Sequence, residues 1–206
     1  MHENFNKIDI TAADFNPFSK IGTEWFLLAS GNEERYNMMT CSWGFAGVVW
    51  NKNAVIALVR PQRFTKELID SNDLFTLSFF GSECRKELGF CGCRTGRDTD
   101  KAKETGLTPV FSDSTVFFKQ AHTVLVCKKL YHNPLTPAGF SVPRTDHRKL
   151  PRQRLPHRLH RRNPHRLYKV IAFWGALPLE NPAKRSKLPC AAAAPHWKPI
   201  VFRIRV

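Results

Sequence analysis

The stretch "YNMMTCSWGFAGVVW", residues 36 to 50, decides the fold. Alternate residues of a strand share a face, so Asn37, Met39 and Cys41 point one way while Met38, Thr40 and Ser42 point the other. Trp43 and Gly44 then turn the chain into "FAGVVW", a second short apolar and β-branched run. Upstream, "GTEWFLLASG" reads as a strand closed by a turn at Gly31 and Asn32, so "RYNMMTCSW" returns beside it as a hairpin. Downstream, "AVIALVR" is separated from "FAGVVW" by "NKN", again strand, turn, strand.

The period changes after Pro61. In "RFTKELIDSN" Phe64, Leu68 and Ile69 fall on one helical face and Asn72 suits the C-terminal cap. "LFTLSFF" is another strand, and "GSECRKELGF" predicts a short helix with Ser82 as its N-cap. "TGRDTDKAKETG" reads as a loop leading into a helical turn ended by Gly106, and "TVFFKQA" and "HTVLVCKKLYH" supply two more strands. Six or seven short strands with two or three small helices predict a mainly β protein, a barrel or Greek-key fold. There is no internal repeat and no G-x-G-x-x-G loop, so a dinucleotide is not held in the Rossmann manner.

Composition sets the class. A chain of 206 residues with 42% hydrophobic and 12% aromatic content suits one globular core. No apolar run reaches membrane-span length, and "MHENFNKIDITAADF" has neither the basic start nor the apolar stretch of a signal peptide. A cytoplasmic protein with no membrane partner is the expectation. Six cysteines are too few for a disulfide scaffold, and Cys91 and Cys93 are spaced C-G-C where zinc sites use C-x-x-C with a second pair, so no metal is expected. The net charge of +15 is unevenly spread: residues 1–140 hold 16 Lys+Arg against 15 Asp+Glu, residues 141–206 hold 16 against 2. Prolines divide the same way, five before the break and nine after, so regular structure is hard to sustain in the tail.

Two basic loops could carry chemistry. Arg60, Arg63, Thr65 and Lys66 cluster at the start of the predicted helix, where free N–H groups and the helix dipole favour an anion; Arg63 and Thr65 could hold a phosphate monoester. A solvated basic face on an amphipathic helix fits the same residues. Arg94, Thr95, Arg97 and Lys101 in "CRTGRDTDK" could approach the same anion or pair with Asp98 and Asp100. Thr40 and Ser42, with Trp43 beside them, could wall a flat polar heterocycle; an ordinary barrel strand with solvated hydroxyls also fits. No Ser-His-Asp arrangement or close carboxylate pair stands out, and the isolated His122 and His132 read as structural, so no catalytic side chain is assigned.

Taken in order, "IGTEWFLLASG", "YNMMTCSWGFAGVVW", "VRPQRFTKELID", "FTLSFF", "GCRTGRDTDKAKETGLTPV" and "CKKLYHNPL" resemble the flavin reductase-like family, the FMN-binding split barrels that include flavoredoxin. The resemblance runs from about Asn16 to Phe140 and implies a Greek-key split β-barrel with a few short helices, usually a homodimer with FMN near the subunit interface. It implies that Asn37, Met39, Thr40, Ser42 and Trp43 line the isoalloxazine and ribityl side, and that Arg63, Thr65 and Arg94 approach the phosphate. Relatives often read G-T-K-S-G-R-D where this chain has Gly92 to Asp98; Arg94 keeps the charge, Thr95 the hydroxyl, and Cys93 departs. The implied chemistry is hydride transfer from NADH or NADPH to FMN, then delivery to free flavin or a redox partner. A flavoredoxin-type electron carrier without reductase activity is the alternative.

The tail "RLPHRLHRRNPHRLYKV", residues 154–170, could be a nucleic-acid-binding arm on a β-barrel. The genetic code favours another reading. Codons for residues 152–170 can be written so that the frame one base later encodes Asp-Asn-Asp-Tyr-His-Thr-Asp-Tyr-Ile-Gly-Glu-Ile-Leu-Thr-Asp-Phe-Ile-Lys and a stop. That string resembles the family's closing strand, so a frame shift near residues 138–144 is expected, with no nucleic-acid partner. On this reading 1–140 is a split-barrel domain without its closing strand, and 141–206 is an out-of-frame basic tail without order.

Overall fold

The computed structural model describes residues 5–112, 114–135, 169–175 and 200–203. A two-residue strand β1 (Asn6–Lys7) precedes a π-helical turn over Phe18–Glu24, and the hairpin read from the sequence follows as β2 (Phe26–Gly31) and β3 (Tyr36–Cys41). Gly31 sits at φ 115°, and a Cβ there would fall 2.1 Å from the Arg35 carbonyl oxygen, so the corner requires glycine. Asn32 completes the turn by accepting from the Glu34 and Arg35 amides at 3.1 and 3.0 Å.

Strands β4 (Gly44–Val49) and β5 (Lys52–Val59) form the second hairpin. Its turn is Trp50–Asn51, both at positive φ (50° and 57°), one residue earlier than "NKN" suggests. Two left-handed residues match the right-handed twist of the flanking strands, and that decides the turn. Helix α1 (Phe64–Ser71) follows with Asn72 as its C-cap, as expected, then β6 (Leu74–Phe79). Helix α2 (Arg85–Cys93) starts two residues later than predicted because Ser82–Cys84 forms a 3-10 turn, leaving Ser82 inside the turn and not at a cap. Asp100 caps α3 (Lys101–Thr105) by accepting from the Lys103 amide at 3.1 Å, and Gly106 at φ 69° ends it. A hairpin of β7 (Pro109–Ser112) and β8 (Thr115–Phe118) precedes β9 (Thr123–Pro134).

The main sheet runs β3-β2-β6-β9 and continues through β10 (Lys169–Gly175) to β5 and β4. Its end strands β3 and β4 are successive in the chain, joined at Ser42 and Trp43, so the sheet curls into a split barrel. Phe26, Leu28, Met39, Val55, Ala57, Phe75, Leu77 and Leu125, from five strands, meet in one buried cluster inside it. The alternate residues Leu27, Ala29, Met38, Val124 and Val126 meet Leu88, Cys91, Ala102 and Val116 in a second cluster, under α2, α3 and β8. That double coverage explains the unbroken apolar run of β2, buried on both faces.

Most of the tail, with the domain boundary expected at Phe140, lies outside the described residues. The parts that are described differ from the expected tail without order. Lys169–Gly175 stands antiparallel between β9 and β5, in the position that the sequence reading leaves empty, and β11 (Ile200–Arg203) runs parallel to β9 and β1. "KVIAFWG" is β-prone, and a slot between two strands selects by main-chain bonding first.

Candidate functional site

Strand β3 connects the parts of the site. Its alternation is as expected: Met39 and Cys41 enter the barrel core, Met38 the outer one. At its start the buried Asn37 donates from Nδ2 to the Thr65 hydroxyl at 2.9 Å, tying β3 to the first turn of α1. Thr65 is fully buried, so this pair braces the site. At the other end, Thr40 donates to the Leu88 carbonyl of α2 at 2.5 Å. Ser42 is half-buried beyond it, and Trp43 is 36% exposed with the Arg60 guanidinium 5.9 Å from its ring centre. The expected ring wall therefore divides: Ser42 and Trp43 border solvent, Thr40 is bonded to α2, and the Met39 side chain is core.

The first basic loop also divides. Lys66 pairs with Asp70 one turn along α1, which is the solvated-face reading. Arg63 turns inward and donates from Nη1 to the Gly92 carbonyl at the end of α2, at 2.6 Å. Burial, then the neighbouring Arg60 charge, hold the Arg63 guanidinium below its usual range. The Cys41 thiol close to these two arginines is pushed up to about 12 because burial outweighs their pull.

The second loop, residues 94–100, lies against the first. Gly96 approaches β3 so closely that a Cβ would fall 2.1 Å from Asn37 Oδ1. Arg97 pairs with Glu67 of α1 and stands 5.0 Å from the Phe64 ring centre. Arg94 and Thr95 are exposed, Arg94 5.9 Å from the Phe90 ring centre, and the Thr95 hydroxyl accepts from the Arg97 amide at 3.3 Å. The polar loop predicts a solvated Lys101; instead it is 3% exposed and donates to the Met38 and Cys91 carbonyls at 2.8 and 3.0 Å. The charge balance in "RDTDK" gave no signal of that burial.

Among the described residues, Arg60, Arg63, Arg94 and Lys101 have no carboxylate within salt-bridge distance, whereas Lys20, Lys66 and Arg97 do. The Arg63 charge acts on both Arg60 and Lys101, and such a partly desolvated cluster of cations without counter-charge fits an anionic group, with Arg94 exposed on the neighbouring loop. No group of three His, Cys, Asp or Glu side chains suited to a metal occurs among the described residues. His122 belongs elsewhere, 4.0 Å from Glu24; burial and then Lys20 hold its imidazole below the usual range. No helix among the described residues is long and apolar enough to cross a membrane.

Known structures share this fold. A flavoredoxin from Methanosarcina acetivorans is similar at 18% identity and TM-score 0.52, over 82% of this chain and 72% of its own. An FMN-binding protein from Thermus thermophilus with bound p-hydroxybenzaldehyde is similar at 14% identity and TM-score 0.52, over 73% and 67%. A split-barrel domain from Shewanella frigidimarina, named as a candidate flavin reductase, is similar at 17% identity and TM-score 0.53, over 79% and 70%. These likenesses show the split-barrel fold. No curated protein matches the chain. Residues 18–148, which hold β2 to β9 and both basic loops, match the flavin reductase like domain, and the chain belongs to that family.

Proposed function

We propose that this chain is a cytoplasmic FMN-binding oxidoreductase that takes a hydride from NADH or NADPH and passes electrons to free flavin or a redox partner. The observation that carries the reading is the set Arg60, Arg63, Arg94 and Lys101 without carboxylate partners, at one end of a barrel of this family. A phosphate monoester, carrying about −1.5 to −2 charge near neutral pH, completes such a set. Arg63, Arg94 and Thr95 would hold the phosphate, with Thr65 and Asn37 bracing Arg63 and the loop. Ser42 and Trp43 would border the ring, Thr40 of β3 would support it through its bond to α2, and Met39 would meet it through its main chain alone. When bound, FMN supplies the ring that accepts and passes on the hydride, so no side-chain acid or base is required.

Purified full chain should retain FMN through gel filtration with flavin absorbance, and should oxidise NADH or NADPH when flavin is added. Retention without oxidation identifies the second reading, an electron carrier, which the likeness to a flavoredoxin favours. Loss of all flavin ends both. We further propose a homodimer through β4, an edge strand exposing Phe45, Val48 and Val49 with Trp50 exposed in the turn that follows. The frame shift is part of this proposal: residues 141–206 are read out of frame, and an unbroken single frame across codons 134–150 in independent clones would refute it.

A further inference from the structure

We propose that Lys101 is a positioning residue of the phosphate site, its ammonium tying the Met38 carbonyl of β3 to the Cys91 carbonyl of α2 and so holding loop 94–100 against Arg63. The inference rests on the flavin reading above and deepens it by assigning a further residue and a proton. Lys101 is the one charged side chain among the buried described residues. Its acceptors, at 2.8 and 3.0 Å, are two main-chain carbonyls, and neither is a counter-charge. The groups around it do not neutralise it. From α2 it meets the Cys91 thiol, with Glu87 beyond that thiol, and from the start of α1 the Arg63 charge. On its own helix Asp100 caps the Lys103 amide, and Tyr36 of β3 is coupled to Asp100.

Two cations thus occupy successive carbonyls at the negative end of α2, Lys101 on Cys91 and Arg63 on Gly92. Loop 94–100 starts at that double anchor, and its Gly96 rests against Asn37, which holds Thr65. The loop, Arg63 and the strand are therefore set relative to one another through Lys101. A phosphate dianion bound between Arg63 and the loop supplies the counter-charge that the cluster lacks. The free protein holds this ammonium incompletely protonated in mild alkali, because burial and then Arg63 draw its pKa down to about 8. Binding of the dianion returns the proton.

The test is calorimetry on the unaltered full chain at pH 8, with FMN and with riboflavin, each in two buffers of different ionisation enthalpy. FMN is expected to take up about half a proton more per site than riboflavin, since a group with a pKa near the working pH is half-protonated. The ligand's own phosphate is no source, its second ionisation lying at about pH 6. Lys101→Met should weaken FMN by about tenfold or more and leave riboflavin binding unchanged, and Lys101→Arg should keep FMN affinity within about threefold while abolishing the uptake. Equal proton uptake for both ligands overturns the inference even if neither variant folds. Equal weakening of both ligands by Lys101→Met also overturns it, because Lys101 would then serve only the fold. Failure of both ligands to bind the unaltered chain overturns the flavin reading itself, and this inference with it.

Discussion

At the residue scale, the close approach of Gly96 to Asn37 is the most exacting contact of the site. A Cβ at 96 would fall 2.1 Å from Oδ1 and 2.6 Å from Cγ of a side chain already committed to Thr65, so Asn37 must swing away. Gly96→Ala is expected to cost about 1–3 kcal/mol, read as a lower urea midpoint, and Asn37→Ser in the same chain should recover part of it. A double-mutant cycle showing simple additivity would refute the contact. Arg63→Met removes an ionised donor from the Gly92 carbonyl and a ligand from the proposed phosphate, and should weaken FMN by about 1.5–3 kcal/mol in a fluorescence titration. The sequence points to Arg63 as a candidate anion ligand because it stands where a helix starts, but its bond to the Gly92 carbonyl was not legible. Lys101 was not, since lysine is ordinarily solvated and its burial depends on α3 folding back onto β3. Thr65 was legible as a candidate for the site, but the bond its hydroxyl makes with Asn37, 28 positions away, was not.

At the scale of elements, the buried titratable groups of α2, α3 and β3 set how stability changes with pH. The Lys101 pKa is lowered on folding from 10.5 to about 8, so between these values the unfolded chain binds more protons and stability rises with pH. The Cys41 and Cys91 thiols are raised from 9.0 to about 12 and about 11, so above pH 9 the unfolded chain binds fewer protons and stability falls. Burial raises the Cys127 thiol as well, so three thiols oppose the one ammonium and the expected profile climbs from pH 7.5 to a maximum at about pH 8.5 and then drops, measured by urea unfolding at half-unit steps under reducing conditions. A flat or falling profile between pH 7.5 and about 8.5 would contradict the burial of the ammonium. The elements themselves were largely legible, because each strand of the two hairpins is a β-branched or apolar run and α1 has its apolar face and its Asn72 cap. The 3-10 turn at Ser82–Cys84 and the strand at Pro109–Ser112 were not. A 3-10 start and an α start share the same first-turn residues, and β7 is a strand only because β8 pairs with it.

At the scale of the molecule, the barrel is closed by a segment whose local sequence does not resemble the family's closing strand. What β5 and β9 require is two rows of main-chain donors and acceptors, and Lys169–Gly175 meets both, Ala172 standing opposite Ile56 on one side and Tyr131 on the other. A strand paired on both edges has no tolerance for proline in its middle, since the ring removes a donor and fixes φ. Ala172→Pro should therefore cost about 3 kcal/mol, a large share of the roughly 5–15 kcal/mol that holds a domain together. Lys169→Pro, at the first position of the strand, should cost much less. Thermal unfolding of both variants beside the unaltered chain separates them. If the two prolines are equally harmless, β10 does not close the barrel. If Ala172→Pro alone lowers the midpoint, closure depends on a strand that the frame-shift proposal places beyond the intended stop. Restoring the upstream frame should then exchange one closing strand for another and raise the midpoint, because the restored segment carries side chains selected for this slot as well as the main-chain ladder any β-prone run can offer.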